Sequence, residues 1–523
     1  MEFSSRNGED GGFTILETLG GGVALLDYDG DGDLDLFLAG GGYFEGRTIR
    51  GHPCRLYRNR GDATFEDVTR ESGLDIEWWY NHGAAVADYD RDGFPDLIVT
   101  GYGRAAIFHN EAKPDGSRRF VDASRSLGFE DNSWSTSAAW GDIDGDGWPD
   151  LYVCHYCDWS FDNDPHCEGL AALASRDVCP PERFKPLVHA LFKNEGGKRF
   201  RNVSAEHGFE AKGNGLGVVI ADLNDDRHPD VYVANDATNK FLFFNRGGKL
   251  VENGLAAGAA VDGRGRYNGS MGVDLADCTG SGRPSLFVTN FQRELHALYR
   301  NDANERFQFD SEGIGLAELP LDLVGFGAAF LDADRDGWED VVAVHGHVLQ
   351  HPPFGGRFDQ PALLLRNEER DGRRRFRNIS SQAGPFFDRP MRGRGLAVGD
   401  LDNDGAPDFV VSHVNAPAAV LRNRIARRNG ANWVGFRLVG RDRRDVVGST
   451  MIVEAGGRRI VRFTKGGGSY LSASDPRILV GLGSASAIER VTVKWSWGGE
   501  QTWSDLAAGR YWTLSEGAAG ASE

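Results

Sequence analysis

No stretch of this chain stays apolar for the roughly 18 residues that a bilayer-spanning helix needs, so no membrane span is expected. Nor is there an excess of positive charge. The 77 acidic residues outnumber the 58 basic ones and leave a net charge of −19, which argues against nucleic acid as a partner, since that needs a basic footprint. The opening residues MEFSSRNGEDGG have no basic segment followed by an apolar one. No secretory signal is therefore read there, and the chain as it stands is cytoplasmic unless a signal has been removed. Nucleophile elbows, Walker loops and dinucleotide fingerprints are missing from the contexts that would give them meaning. The glycines of GRGRYNG and GGVALL serve turns. Cysteine is scarce, with six in 523 residues, and four of them fall in a single polar stretch.

What the chain does have is an acidic nonapeptide flanked by short apolar runs, present seven times: DYDGDGDLD, DYDRDGFPD, DIDGDGWPD, DLNDDRHPD, DCTGSGRPS, DADRDGWED and DLDNDGAPD, starting at Asp27, Asp88, Asp142, Asp222, Asp277, Asp332 and Asp400. The starts are 61, 54, 80, 55, 55 and 68 residues apart, the period of a four-stranded propeller blade with variable loops. The expected fold is all-β: a seven-bladed β-propeller with calcium-binding hairpin loops.

Carboxylates at loop positions 1, 3, 5 and 9, with glycine at 6 for a left-handed turn, can wrap a hard cation that takes six to eight oxygens. The flanks are β-like and no Glu stands at position 12, so these are strand-loop-strand sites and not EF-hands. The expected Ca2+ ligands are Asp27, Asp29, Asp31 and Asp35; Asp88, Asp90, Asp92 and Asp96; Asp142, Asp144, Asp146 and Asp150; Asp222, Asn224, Asp226 and Asp230; Asp332, Asp334, Asp336 and Asp340; and Asp400, Asp402, Asp404 and Asp408. About six sites result, and six divalent ions would reduce the net charge to about −7. The fourth loop carries Arg227 at the left-handed position, at a cost of roughly 1 kcal/mol. The fifth offers only Thr279, Ser281 and Ser285 beside Asp277 and is expected to be empty or weakly filled.

The third repeat shows how a blade divides: STSAAWG, the loop, DLYVCHY, HALFKNEG and RFRNVSAEHG. The last repeat lacks its outer element, and GGFTILETLG near the start resembles the missing piece, so residues 12–19 are expected to close the ring as the outer strand of blade seven. The propeller is placed at 12–428. A second small antiparallel β domain, built from runs such as NWVGFRLVG and RVTVKWSW, is placed at 429–515, and a disordered tail at 516–523.

Because each acidic loop joins strands one and two at one end of its blade, the segments leaving strand two and entering strand one gather at the other end. Trp78, Trp79, Tyr80, Trp134, Asn235, Asn290, Phe291, Arg392 and Arg394 are candidate ligand-binding residues at that channel mouth, and Asp236, His345 and His347 are candidate acids or bases. The bland readings are packing between blades for the aromatics and hydrogen-bonded loop histidines, with a transition-metal site at His345, His347 and His351 as a further alternative. Cys154, Cys157, Cys167 and Cys179 are expected to form two disulfides, or a zinc site with His155 and His166. Cys54 and Cys278 look unpaired.

The sevenfold loop is similar to FG-GAP and VCBS repeats, and GSTMIVEAGGRRIVRFTKGGGSYLSASDPRILVGLG resembles an ASPIC/UnbV domain. With ANDATNKFLFFN, GSMGVDLAD and MRGRGLAVGD between them, the chain resembles the cartilage acidic protein family. That resemblance implies the calcium propeller with its appended domain, and it spans both binding proteins and bacterial natural-product clusters. Two function classes follow. The reading adopted is a recognition protein that binds a protein, glycan or small ligand at the channel mouth. The alternative is a biosynthetic cyclase or isomerase acting on an apolar, terpenoid-like substrate in the same pocket.

Overall fold

A computed structural model of the chain describes residues 3–169, 176–425 and 430–523. The architecture is all-β. Each acidic loop is the hairpin between a first and a second antiparallel strand, as in Val23–Leu26 with Asp35–Leu38, Ser135–Gly141 with Asp150–His155 and Gly393–Gly399 with Asp408–His413. Third and fourth strands follow outward in six such sheets; the seventh has a third strand, Ala416–Leu421, and no fourth among the described residues. The first strands neighbour one another in chain order, and the seventh returns to lie beside the first, which gives a closed, propeller-like ring. Strands such as Ser135–Gly141 and Gly215–Ala221 are buried along their whole length because both faces meet a neighbouring sheet.

An asparagine ties each sheet to the one before it. It ends the segments RLYRN, AIFHN, ALFKN, FLFFN, ALYRN, LLLRN and AVLRN. The Nδ2 groups of Asn59, Asn110, Asn194, Asn245, Asn301, Asn367 and Asn423 donate to the carbonyls of Leu401, Tyr28, Tyr89, Ile143, Leu223, Cys278 and Ala333, all at 2.7–2.9 Å. Each of those carbonyls is the second residue of the preceding acidic loop, and the first bond, from Asn59 to Leu401, joins sheet one to sheet seven. A buried carbonyl without a donor costs about 1–3 kcal/mol, so each asparagine holds a seam that would otherwise open.

Ring closure differs from the sequence expectation. Residues 12–19 form no outer strand: Ile15–Thr18 is a 3-10 turn whose Ile15 and Leu16 are buried in the axial core. The chain instead meets sheet seven at Phe3 and Ser5, whose carbonyls accept the N–H groups of Ala418 and Asn415, and then reaches sheet one through Arg6 and Gly41. The segment GGFTILETLG carries too much apolar surface for a wet edge, and the axis buries it.

The C-terminal unit packs a sheet of Asn432–Val439, Ile478–Gly483 and Tyr511–Ser515 against a four-stranded sheet of Thr450–Ala455, Arg458–Phe463, Ala487–Lys494 and Glu500–Ala507. Phe436, Met451, Trp495 and Trp503 fill its core. The boundary placed at 428 lies outside the described residues. The tail is ordered, contrary to expectation: Thr513 pairs with Ser522, and Gln501 donates to the Ala518 carbonyl and accepts from the Gly517 N–H. Its small residues let 516–522 fold back against the last strands.

Candidate functional site

All seven acidic loops share one backbone. Positions four and six are both left-handed, from Gly30 and Gly32 in the first to Asn403 and Gly405 in the last, and Arg227 takes that conformation at φ 69 in the fourth. The position-one carboxylate accepts the position-six N–H in every copy, for example Asp27 from Gly32 at 3.1 Å and Asp277 from Gly282 at 2.8 Å. The position-nine carboxylates do more than was read from the sequence. Asp35 accepts from Tyr28 and Asn59, Asp150 from Ile143 and Asn194, and Asp230 from Leu223 and Asn245, so each clamps its loop to the third strand.

The carboxyls of these loops crowd together. The oxygens of Asp27, Asp29 and Asp35, of Asp88, Asp90 and Asp92, of Asp142, Asp144 and Asp146, and of Asp332, Asp334 and Asp336 gather tightly enough to hold a metal ion, and Asp90, Asp96 and His109 form a further group. Burial first, then neighbouring carboxylates, pushes Asp142 and Asp332 up to about 7. Asp29, Asp88 and Asp334 each keep one buried oxygen without a hydrogen-bond donor. Hard oxygen donors, mutual repulsion and orphaned lone pairs are what a divalent cation would relieve. In several loops a basic side chain just before the seam asparagine leans over the cluster: His109 toward Asp96 at 3.1 Å, Arg366 toward Asp334 at 2.6 Å, and Lys193 toward Asp144. Arg58 turns to Glu66 instead, at 3.0 Å.

The C-terminal unit sits on the acidic-loop face and sends one segment down the axis. Gly466 and Gly467 pair with Ile220 and Val219 of sheet four, Ser469 pairs with Val273 of sheet five, and Ala473 pairs with Ala24 of sheet one. Leu471 donates its N–H to Ser137 Oγ of sheet three and accepts from Ala84 of sheet two. Asp475 donates to the Val398 carbonyl of sheet seven, and the Tyr470 ring lies 4.9 Å from Phe326 of sheet six. The segment therefore touches the first strand of every sheet. Glycines make the room: a Cβ on Gly22 or Gly83 would lie 2.3 or 2.5 Å from the Leu471 carbonyl, and one on Gly466 would lie 1.8 Å from that of Trp140. Sequence reasoning missed this plug, whose only trace is the glycine-rich run GGGSYLSAS between two strands.

From the opposite end Ile15, Leu16 and Leu19 and the insertion residues Trp159 and Phe184 close over Tyr80, Trp134, Tyr156 and Tyr470. The expected open mouth is thus a packed core. Trp78 packs between sheets one and two, Trp79 lies half-buried under Arg104, and the Tyr80 hydroxyl donates to the Asn7 carbonyl at 2.8 Å. Trp134 donates to His82 Nε2, Phe291 meets His347, Arg392 pairs with Glu9, and Arg394 donates to Thr18 and Gly346 above Phe326. Asp236 accepts the Tyr156 hydroxyl at 2.6 Å, and burial pushes it up to about 7. His345 shares a 3.0 Å bond with His296, and His347 accepts the Leu349 N–H and faces Gln292, so the two do not converge with His351 as a metal site.

Five of the polar residues near the mouth have one repeated task. His155, Asn235, Asn290, His345 and His413 each stand five residues after loop position nine, and each bonds a carbonyl at the entry to its own third strand: Val188, Asn239, Leu295, Pro361 and Pro417, at 2.6–3.0 Å. The cysteine expectation is also corrected. Cys167 and Cys179 form one disulfide, while Cys154 is free in the core between sheets three and four and Cys157 is free in the axial core. His155 is committed to Asp131 and Val188, so it does not join them in a zinc site. Cys54 and Cys278 are free and buried.

A family profile for FG-GAP-like repeats matches residues 27–99 and 88–153, and one for ASPIC and UnbV matches residues 440–521. The loop geometry of the first three copies continues in the four that follow. Cartilage acidic protein 1 of Xenopus tropicalis is 23% identical over 502 residues, covering 90% of this chain and 69% of its own. The protein of that name from Homo sapiens is 24% identical over 482 residues, covering 79% and 68%. Among solved structures, YCF48 bound to D1 peptide aligns with 77% of this chain and 93% of its own at 10% identity and a TM-score of 0.40.

Proposed function

We propose that this chain, which carries FG-GAP-like repeats and an ASPIC and UnbV domain, is a calcium-stiffened recognition protein of an oxidising compartment that binds its partner on outer surfaces and not in the axis. The observation that carries the reading is the plug. A segment in contact with all seven first strands leaves the axis to packing, and the groups expected to serve as acids or bases, Asp236, His345 and His347, already have partners. The Cys167–Cys179 disulfide supports the compartment. Asp27, Asp29, Asp31 and Asp35 of the first loop and their counterparts would hold Ca2+, which would supply charge neutralisation and rigidity.

Scanning calorimetry with calcium and with chelator tests the reading. Binding to the native state alone stabilises by roughly 2.7 kcal/mol at a hundredfold excess over Kd for each site, so a rise of many degrees in Tm is expected. Identical transitions with and without the ion would overturn it.

A further inference from the structure

Polar residues that recur once per sheet serve the ring, so a feature found in one sheet alone points elsewhere. The fourth strands of the other complete sheets read FED, RRFVD, FRN, LVE and FQF, whereas the sixth reads RRRFRN, over Arg373–Asn378. With its partner strand Leu363–Arg370 it forms a hairpin that holds six arginines between 366 and 377 against Glu368, Glu369 and Asp371, a local reversal of sign on a chain of net −19.

The register sharpens the point. Arg370 stands directly opposite Arg373, and Arg366 opposite Arg377. Glu368 and Glu369 stand opposite Arg375 and Arg374 and balance them, but like charges across a ladder are destabilising, so the sheet itself does not reward the pair of Arg370 and Arg373. Arg375 meets Glu318 at 3.3 Å and Arg377 meets Glu368 at 2.9 Å, while the exposed Arg370 and Arg373 have no ion-pair partner among the described residues. Alternate residues of a strand lie roughly 6.8 Å apart on one face, which places Arg373, Arg375 and Arg377 as a row of forked donors; Phe376 between them is buried. On the other face Arg374 stacks on Trp338 at 4.0 Å, with Arg458 of the C-terminal unit 5.8 Å from the same ring.

We propose that this hairpin is a docking face for a linear sulfated polysaccharide. Guanidinium forks bind such anions in pairs, and a row of them along an exposed edge fits a chain of repeating charge better than a single anion. The inference rests on the recognition reading above, whose oxidising compartment favours a sulfated glycan over nucleic acid.

The full, calcium-loaded protein is tested on immobilised heparin, with unsulfated hyaluronan and a single-stranded oligodeoxynucleotide as controls. Heparin binding that falls about tenfold or more in the Arg370→Ser, Arg373→Ser, Arg375→Ser triple variant, with a shallower salt dependence, is the expected result. Absence of binding by the parent protein overturns the proposal, as does equal binding by the variant or equal affinity for the oligonucleotide. Self-association of the variant with heparin binding unchanged would assign the arginines to guarding the sheet edge, which also overturns it. Melting with and without chelator on the same samples separates the two readings: an intact calcium response without heparin binding removes this docking face alone.

Discussion

The seam asparagines show how much one side chain can decide. Asn245 Nδ2 donates both across the seam to Ile143, at 2.7 Å, and within its own loop to Pro229, at 3.1 Å. Asn301 has the seam bond to Leu223 at 2.8 Å. Replacing Asn245 with Ala strands two buried carbonyls and is expected to cost about 2–4 kcal/mol, against about 1–3 kcal/mol for Asn301→Ala. Urea midpoints at constant slope would measure both, and an Asn245→Ala loss below about 1 kcal/mol would remove the seam role. The residues that carry the ladder were visible in the sequence as RN, HN, KN and FN after each third strand. Their meaning was not, because the acceptor belongs to a neighbouring sheet 78 to 105 residues away in six copies and 342 away in the first. The mouth residues misled for the related reason that His, Asn, Trp and Arg are the same residue types whether they brace a turn or hold a ligand. Only the fixed offset of five residues from loop position nine separates the two.

Among the elements, the acidic hairpins were legible because everything that defines them is local: the turn glycines, the carboxylate spacing, the apolar flanks. The axial segment was not, since a glycine run between strands looks like any loop until the inner strands that receive it are in place. The fifth hairpin joins the two. It is poor in carboxylates, and Asp274 in its first strand, buried and accepting the N–H groups of Leu275 and Phe330, is reached by Lys465 at the root of the plug. Arg462 lies 3.5 Å from Glu339 beside it. The C-terminal unit thus brings one cation to the strand that leads into the fifth loop and another to the sixth loop, where Arg462 also donates to the Gly337 carbonyl. Lys465→Met leaves Asp274 uncompensated and should cost about 3–5 kcal/mol, part of which Asp274→Asn in the same chain restores. A double-mutant cycle measures the pair, and additive losses would show that the two do not act together.

At the scale of the molecule, acid should be the weak side. Burial lowers His82 and His189 to about 3 and His296 and His347 to about 4, so the native state refuses protons that the unfolded chain accepts near 6.5. The stability these neutral imidazoles permit is complete above the unfolded pKa and is lost as pH falls below it, by about 1.4 kcal/mol per pH unit for each group. In saturating calcium, circular dichroism and tryptophan fluorescence should report one cooperative unfolding between about pH 6 and pH 4, and a native signal retained at about pH 4 would contradict the assignment. The repeat made the ring readable from sequence, while its sealing at both ends drew on residues that no repeat announces.

The plug also sets an order in time. Its residues, 466–475, follow all seven sheets in the chain, and the seam between the first and last sheets closes on Leu401. A ribosome therefore releases most of the ring before the piece that fills its centre exists. Until that piece arrives, the inner strands keep glycine-lined gaps and unpaired backbone groups facing an empty axis. The emerging chain has to wait, half-closed, for its own end, and the late arrival of one short segment becomes the step at which assembly is committed or lost.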